Sequence, residues 1–135
     1  MILLVRHGES SLNALGVRHR QEDVPLTSAG LVEAKMTAES LRGLADEPVI
    51  VSSPLLRAYG TACVIAAHLC LDAPQVADEL TERAWGQSCE DAAAAAKAYL
   101  NRHGRDVIAV THAGVIKGLL GLEQTPPNGS IHPWT

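Results

Sequence analysis

LVRHGES, residues Leu4 to Ser10, places an arginine and a histidine directly after a short apolar run and directly before a glycine. The run Ile2–Val5 is continuous and apolar, which is typical of a parallel strand buried on both faces. Arg6 and His7 would then lie at the carboxyl end of that strand, the edge of an open α/β sheet at which ligands bind. Arginine suits phosphate or carboxylate, and histidine acts as a base or nucleophile near neutral pH. We therefore predict a ligand site there, with Gly8 letting the backbone approach what is bound.

The length and composition predict one globular domain over residues 1–135. The chain is 47% hydrophobic and 19% charged, so it can bury a core and is too apolar to be disordered. A formal net charge of -4 and an aromatic content of 3% argue against nucleic-acid binding, which normally needs a basic surface and stacking side chains. The apolar N-terminal run is too short for a signal peptide or membrane span. We expect a cytoplasmic protein without nucleic-acid or membrane partners, and the sequence leaves its oligomeric state open.

The other apolar runs alternate between helical and strand patterns. Such an alternation predicts a three-layer α/β/α sandwich with a mainly parallel central sheet. Thr27, Ser88 and Ser53, the last followed by Pro54 at the first helical position, are predicted helix N-caps. The predicted strands are 48–51, 75–77 and 107–110, with a possible edge strand at 130–132; the predicted helices are 28–43, 55–71, 88–102 and one ending near 121; and loops or irregular segments occupy 9–24, 79–87 and 124–135.

A second histidine, His112, stands where the strand 107–110 passes into a helix. It can meet His7 only if their two strands are neighbours in the sheet. Arg57 lies on the first turn of the helix after Ser53, where the helix dipole also favours an anion. Two arginines and two histidines at one edge of one sheet indicate a phosphoryl-binding site.

A set of motifs in fixed order resembles the histidine phosphatase superfamily, also called phosphoglycerate mutase-like. This resemblance implies the phosphoglycerate mutase-like fold, from which the sequence departs in a much shortened lid insertion between Glu82 and His112. It also implies that His7 is the nucleophile that accepts the phosphoryl group, that Arg6, Arg57 and His112 bind that group, and that Asn13 helps to hold it. The motifs are LVRHGES (4–10), Asn13, DVPLT (23–27), Gly30, SPLLRA (53–58), Thr61–Ala62 and THAGV (111–115).

The chemistry of these residues agrees with the resemblance. A neutral imidazole is a good nucleophile, and a phosphohistidine divides one hard hydrolysis into two easier transfers. Two arginines and a protonated His112 can meet the charge on the phosphoryl oxygens, so we expect no metal and no other cofactor. Gly8 and Ser10, beside the nucleophile, complete the predicted phosphate-binding set.

Departure of the leaving group needs a general acid, for which the sequence offers two carboxylates. Family members carry an acidic residue in a loop of the form LTERAWG, so the resemblance implies Glu82, with Glu9 as the competing candidate. Arg83, next to Glu82, resembles the arginine with which the mutase branch meets a substrate carboxylate.

The segment between Glu82 and His112 has room for little more than one helix and one strand, where mutases carry a longer lid. An open site exposes a phosphohistidine to water, so we expect a metal-independent phosphomonoester hydrolase. Its substrate would be a small phosphorylated compound, although an open site also admits phosphoproteins. The alternatives are a phosphoglycerate-mutase-like phosphomutase, a protein phosphohistidine phosphatase and a low-turnover phosphate-binding regulatory protein.

Overall fold

The computed structural model describes residues 1–135 and contains one five-stranded sheet. Its strands are β1 (Ile2–Arg6), β2 (Val49–Ser52), β3 (Gln75–Val76), β4 (Val107–Thr111) and β5 (Ile131–Trp134). The order across the sheet is β3-β2-β4-β1-β5, and only β5 runs antiparallel to its neighbour. This arrangement confirms the predicted, mainly parallel sheet.

Five α-helices and one 3₁₀ turn connect these strands. The helices are α1 (Ser11–Ala14), α2 (Ser28–Leu41), α3 (Leu56–His68), α4 (Cys89–Leu100) and α5 (Ala113–Leu120), and the 3₁₀ turn is Asp78–Leu80. The four longer helices were predicted, whereas α1 lies in a segment predicted as a loop, since four residues are too few for a periodic pattern. None of these helices has both the length and the apolar character needed to cross a membrane.

The core divides into two layers because successive strand residues point to opposite faces of the sheet. Leu3 and Val5 of β1 pack with buried residues of α2 and α3. Leu4, between them, packs on the other face with buried residues of α4 and α5. The three-layer α/β/α sandwich predicted from the sequence is therefore confirmed.

Two of the three predicted N-caps are confirmed, and the third is wrong. Thr27 and Ser88 accept hydrogen bonds from the backbone N–H groups of Gly30 and Asp91. The cap of α3 is Leu55 rather than Ser53, and Pro54 precedes the helix. The Leu56 N–H donates to the Asp23 carboxylate at 2.7 Å, and a charged acceptor is a stronger partner than a serine hydroxyl.

Gly8 makes a close backbone approach within the protein. A Cβ at Gly8 would lie 2.5 Å from the carbonyl oxygen of Gly30, and one at Gly30 would lie 2.1 Å from the carbonyl oxygen of Glu9. The Gly8 N–H donates to Thr61 Oγ1 at 3.0 Å. The two glycines thus let the segment after β1 pack against the first turn of α2, and the expected approach of the Gly8 backbone to a ligand stays a prediction.

The C-terminal segment forms both an edge strand and a wall of the site. β5 extends to Trp134 and tolerates Pro133 because an edge strand leaves one row of N–H groups unpaired. Before it, Asn128 Nδ2 donates to the His7 carbonyl oxygen at 3.1 Å, and Arg6 Nη1 donates to the Pro126 carbonyl oxygen at 2.7 Å. Much of the segment predicted to be irregular therefore orders the residues that follow β1.

Candidate active site

Parallel pairing of β1 with β4 brings the two histidines together. Arg6 lies opposite Thr111 in the register, and the His7 N–H donates to the Thr111 carbonyl oxygen at 3.2 Å. His7 and His112 follow these residues, and their rings meet edge to face with centroids 5.2 Å apart. The strands are thus neighbours, as a meeting of the two histidines requires.

His7 is buried, and its hydrogen bond sets which ring nitrogen is free. Its Nδ1 lies 2.7 Å from the Gly8 carbonyl oxygen, which can only accept, so Nδ1 carries the proton and Nε2 has a free lone pair. Burial is the main cause that lowers the pKa of His7 to about 3, and the charges of Arg6 and Arg57 act in the same direction. At neutral pH the ring is therefore uncharged, with a free lone pair on Nε2.

His112 is completely buried and makes one side-chain hydrogen bond. Its Nε2 lies 2.8 Å from Ser53 Oγ, whereas its Nδ1 is buried without a partner. Burial, followed by the proximity of His7 and then of the arginines, holds the pKa of His112 well below its ordinary value. The sequence-based expectation concerned His112 beside a bound phosphoryl group, whose charge would favour the protonated ring, and it stays a prediction.

Ser53 allows the neutral His112 ring to act as a donor. Ser53 Oγ accepts the Leu55 N–H at 3.3 Å, and its hydroxyl hydrogen is available to donate to His112 Nε2. In that arrangement the ring proton resides on Nδ1, the nitrogen without a partner. A neutral His112 can then donate to an anion.

Arg6 and Arg57 each present an unused donor. Arg57 is 1% exposed, and its Nη1 and Nη2 donate to the carbonyl oxygens of Glu22 and Arg20. Arg6 uses Nη1 on Pro126. The Nε atoms of both arginines are buried without a partner, like His112 Nδ1. Buried polar atoms are almost always hydrogen-bonded, so three such nitrogens on these neighbouring side chains indicate an anion as the missing partner.

A cavity of about 310 Å³ opens at this edge of the sheet, and its lining is strongly cationic. Glu82 is its single acidic side chain. Such a surplus of positive charge favours an anionic ligand. The cationic lining residues, apart from histidines, are Arg6, Arg18, Arg20, Arg57, Arg83 and Lys117.

Of the two candidate acids, Glu82 lies at the cavity and Glu9 does not. One Glu82 carboxylate oxygen accepts the Arg83 N–H at 2.8 Å, and the other accepts the Gly114 N–H at 3.2 Å. These bonds place the carboxylate between its own loop and the first turn of α5. The Glu9 carboxylate instead accepts the Thr27 hydroxyl at 2.8 Å.

The remaining predicted site residues divide into lining and supporting positions. Asn13 and Arg83 line the cavity, and Arg83 Nη1 donates to the Gln87 carbonyl oxygen at 3.3 Å. Asn13 Oδ1 accepts the Ser10 N–H and the Asn128 amide, which leaves the Asn13 NH₂ group for a ligand. Ser10 is fully buried behind the cavity, where its hydroxyl caps α1.

Several lining residues were not singled out from the sequence. Arg18, His19 and Arg20 come from the loop after α1, and Lys117 comes from α5. The run Arg18-His19-Arg20 was visible in the sequence. It carries no period or spacing that places it at the cavity.

The fold and the site together define an α/β protein with a cationic cavity at the carboxyl edge of its sheet. The family model of the histidine phosphatase superfamily (branch 1) matches residues 2–93, and the chain belongs to this superfamily. The match includes the segments carrying His7, Arg57 and Glu82 and ends before His112.

Similar proteins include phosphatases and mutases. The chain is 34% identical over 87 residues to the uncharacterized phosphatase PhoE of Bacillus subtilis, covering 64% of this chain and 44% of that protein. It is 38% identical over 93 residues to a 2,3-bisphosphoglycerate-dependent phosphoglycerate mutase of Nocardia farcinica, covering 64% and 36%. The chain thus spans less than half of each relative.

Among solved structures, a mycobacterial glucosyl-3-phosphoglycerate phosphatase in complex with VO3 superposes with a TM-score of 0.81 at 25% identity. The superposition covers 96% of this chain and 90% of that chain. The likeness extends over all three layers, including β4 and α5, which lie beyond the family match.

Proposed function

We propose that the protein hydrolyses phosphomonoesters through a phosphohistidine formed on His7. The observation that carries this proposal is the set of three buried nitrogens without partners, Arg6 Nε, Arg57 Nε and His112 Nδ1, beside a neutral His7 whose Nε2 is free. A transferring phosphoryl group has three non-bridging oxygens, which matches the number of donors. Fixed donors of this kind stabilise the transition state without reorganisation.

The reaction proceeds in two transfers. His7 Nε2 attacks phosphorus, the bond from phosphorus to the ester oxygen breaks, and protonated Glu82 gives its proton to the departing oxygen. Water then attacks the phosphohistidine, Glu82 takes the proton from that water, and the bond to Nε2 breaks to release inorganic phosphate. Arg6, Arg57 and His112 hold the phosphoryl oxygens throughout, with Asn13 as a further donor.

Both steps use side chains alone, and the proposal includes no metal or other cofactor. The structure contains no cluster of three or more His, Cys, Asp or Glu side chains arranged to hold a metal ion. The expectation of metal-independent turnover is tested by including a chelator in the assays below.

A phosphomutase is the second candidate, and Arg83 is the observation that favours it. Arg83 lines the cavity beside Glu82, where it can meet a carboxylate of the substrate, and relatives such as the Nocardia farcinica protein are mutases. A mutase must hold its product while the phosphoryl group returns. The segment 83–111 supplies only a loop, α4 and β4, so water competes for the phosphohistidine and hydrolysis is favoured.

A phosphohistidine on His7 tests the proposal directly. The protein is mixed with an aryl phosphate in the presence of a chelator, quenched at alkaline pH, where phosphohistidine survives, and analysed by mass spectrometry of the peptide containing His7. We expect a burst of aryl alcohol equal to the enzyme concentration, phosphate on His7 and continued release of inorganic phosphate. A phosphorylated His7 without further turnover would support the regulatory alternative, and no phosphorylation would refute the proposal.

The substrate is proposed to be a small phosphorylated compound. A cavity of about 310 Å³ accommodates a phosphoryl group together with a few further atoms. Phosphoproteins and phosphohistidine peptides are the competing class, and a substrate panel that includes both ranks them by kcat/KM.

A further inference from the structure

Arg20 lines the same cavity, carries a fourth buried nitrogen without a partner and has no part in the proposed phosphoryl site. The structure contains four buried side-chain polar atoms that lack a hydrogen-bond partner. Three were described above, and the fourth is Arg20 Nη1. Arg20 belongs to the loop between α1 and α2 rather than to a strand end. Since a buried guanidinium nitrogen normally has an acceptor, Arg20 requires its own partner.

The Arg20 guanidinium is held in place before any ligand binds. It lies over the Trp85 ring, 4.5 Å from the ring centroid, a cation–π contact that fixes the plane of the guanidinium. Glu22 links the two residues, because its carboxylate accepts the Arg20 N–H at 2.6 Å and Trp85 Nε1 at 3.3 Å. Arg57 donates to the Arg20 carbonyl oxygen and so ties this loop to the phosphoryl-binding residues.

A phosphoryl group does not need Arg20 as a hydrogen-bond donor. Three oxygens are already matched by Arg6, Arg57 and His112, and those three side chains come from the ends of β1 and β4 and from the start of α3. Arg20 instead comes from the loop between α1 and α2, and its partner Trp85 is 56% exposed. A ligand group reaching Arg20 would be a part of the substrate other than the transferred phosphoryl group.

We propose that Arg20 binds a second oxyanion of the substrate, a carboxylate or a further phosphate, with Trp85 holding its guanidinium in position. The proposal deepens the proposed function, on which it rests, by restricting the substrate to phosphomonoesters that carry a second negative charge. Arginine suits this task because its planar fork donates two parallel hydrogen bonds to a carboxylate or phosphate.

Matched substrates separate the second oxyanion from the phosphoryl group. Alkyl phosphates of increasing chain length are compared with ω-carboxyalkyl phosphates and with bisphosphates of the same length, and the ratio of kcat/KM within each pair is recorded. We expect a ratio of about ten or more at one preferred length, because a charge-assisted contact to a fixed arginine is strong. Whether carboxylate or phosphate gives the larger ratio identifies the oxyanion.

Substitutions assign that ratio to Arg20. We expect Arg20→Gln to bring the ratio close to one while hydrolysis of the alkyl phosphates is retained, and Arg20→Lys to recover only part of it. Trp85→Phe, which keeps a ring under the guanidinium, should preserve most of the ratio, and Trp85→Leu should lower it. Arg102→Gln is the matched control, because Arg102 also stacks on an aromatic ring, that of Tyr99, and does not line the cavity.

The result can be told apart from failure of the proposed function. Calorimetric binding of ω-carboxyalkyl phosphonates against alkyl phosphonates needs no turnover and gives the same comparison even if no ester is hydrolysed. The proposal is overturned if the wild-type protein shows no preference at any length, or if Arg20→Gln weakens both members of each pair equally. A preference that disappears in Arg20→Gln and persists in Arg102→Gln supports it.

Discussion

The floor and the rim of the cavity are built in different ways. The floor consists of Arg6, His7 and Arg57, which line the cavity, together with His112, which is fully buried against the His7 ring; all four lie at strand ends or at the start of a helix. The rim consists of residues 16–23 and 82–87, which are mostly half-buried or exposed loop residues. Backbone pairing across the sheet holds the floor, whereas isolated contacts hold the rim, such as Gln21 Nε2 donating to the Glu82 carbonyl oxygen at 3.2 Å.

This difference separates two kinds of effect on activity. In the proposed mechanism the floor residues meet the phosphoryl group, which every substrate shares, so changes there should affect all substrates alike. The rim residues would meet the leaving group, which differs between substrates, so changes there should depend on the substrate. Measurements on matched substrates can sharpen this distinction or refute it.

The largest effect is expected at the floor, from His7→Asn. Removing the nucleophile should lower phosphate release by about 10³-fold or more for every ester, because the remaining side chains can only stabilise direct attack by water. Steady-state assays with good and poor leaving groups check this expectation. His103→Asn, which changes a histidine outside the cavity, should leave the rates unchanged, and a substrate-dependent loss in His7→Asn would contradict the assignment of His7 to the floor.

The next effect is expected at the rim, from Glu82→Gln. General acid catalysis contributes about 10²–10⁴-fold to the rate. The fall in kcat/KM should approach this range for alkyl phosphates and be only a few-fold for nitrophenyl phosphate, whose leaving group needs little protonation. Glu9→Gln is the matched control, because Glu9 is not part of the cavity lining. If Glu82→Gln slows all leaving groups equally, Glu82 is not the general acid. If Glu9→Gln slows poor leaving groups strongly, Glu9 is the general acid instead.

The positions of the floor residues could be predicted from the sequence. Buried strands are recognised in the sequence as apolar runs, and neighbouring parallel strands have their carboxyl ends at the same edge of the sheet. Residues that directly follow such runs therefore lie close together. His7 and His112 were placed by this reasoning alone. The resemblance to the superfamily added Asn13, which lies in the short helix α1, and Glu82, which lies in a loop.

The rim and the protonation state of the floor could not be predicted in this way. The path of residues 16–23 depends on backbone carbonyl groups that Arg57 binds, and carbonyl groups have no sequence signal. The neutral state of His112 follows from its complete burial, which depends on packing from several elements. Ser53 was assigned to a helix cap because the sequence does not show that its hydroxyl faces His112.

A third prediction concerns the stability cost of burying the floor. The pKa of His7 is about 3 in the folded protein and about 6.5 in the unfolded chain, so between these values only the unfolded chain binds the proton. The free energy of unfolding must therefore fall as the pH is lowered from about 6.5 toward 3, by about 1.4 kcal/mol per pH unit for this group. His112, whose pKa is also lowered, adds a contribution of the same sign.

Urea unfolding at pH 7 and pH 5 measures this cost. We expect His7→Asn to reduce the loss of stability between the two pH values by about 2 kcal/mol, because asparagine does not titrate. An identical loss in wild type and His7→Asn would show that His7 is not desolvated in the folded protein. The other groups with shifted pKa values are present in both proteins, and burial, the main cause of the lowered pKa of His112, does not depend on His7.

The smallest of these effects is expected where floor and rim meet, from Gly114→Ala. A Cβ at Gly114 would lie 2.3 Å from a Glu82 carboxylate oxygen and 3.2 Å from Arg83 Cδ, whereas no backbone atom is among its three nearest contacts. The Glu82 side chain can turn away, and alanine has a higher helix propensity than glycine. The free energy of unfolding should therefore change little. Displacing the carboxylate should slow hydrolysis of alkyl phosphates by about tenfold and that of nitrophenyl phosphate much less, since general acid catalysis contributes most where the leaving group is poor.

Kinetics on both substrates, with thermal unfolding as the control for folding, check this pattern. A uniform loss on both substrates would show that the first turn of α5 acts on the floor through His112, and the boundary between floor and rim would then lie elsewhere.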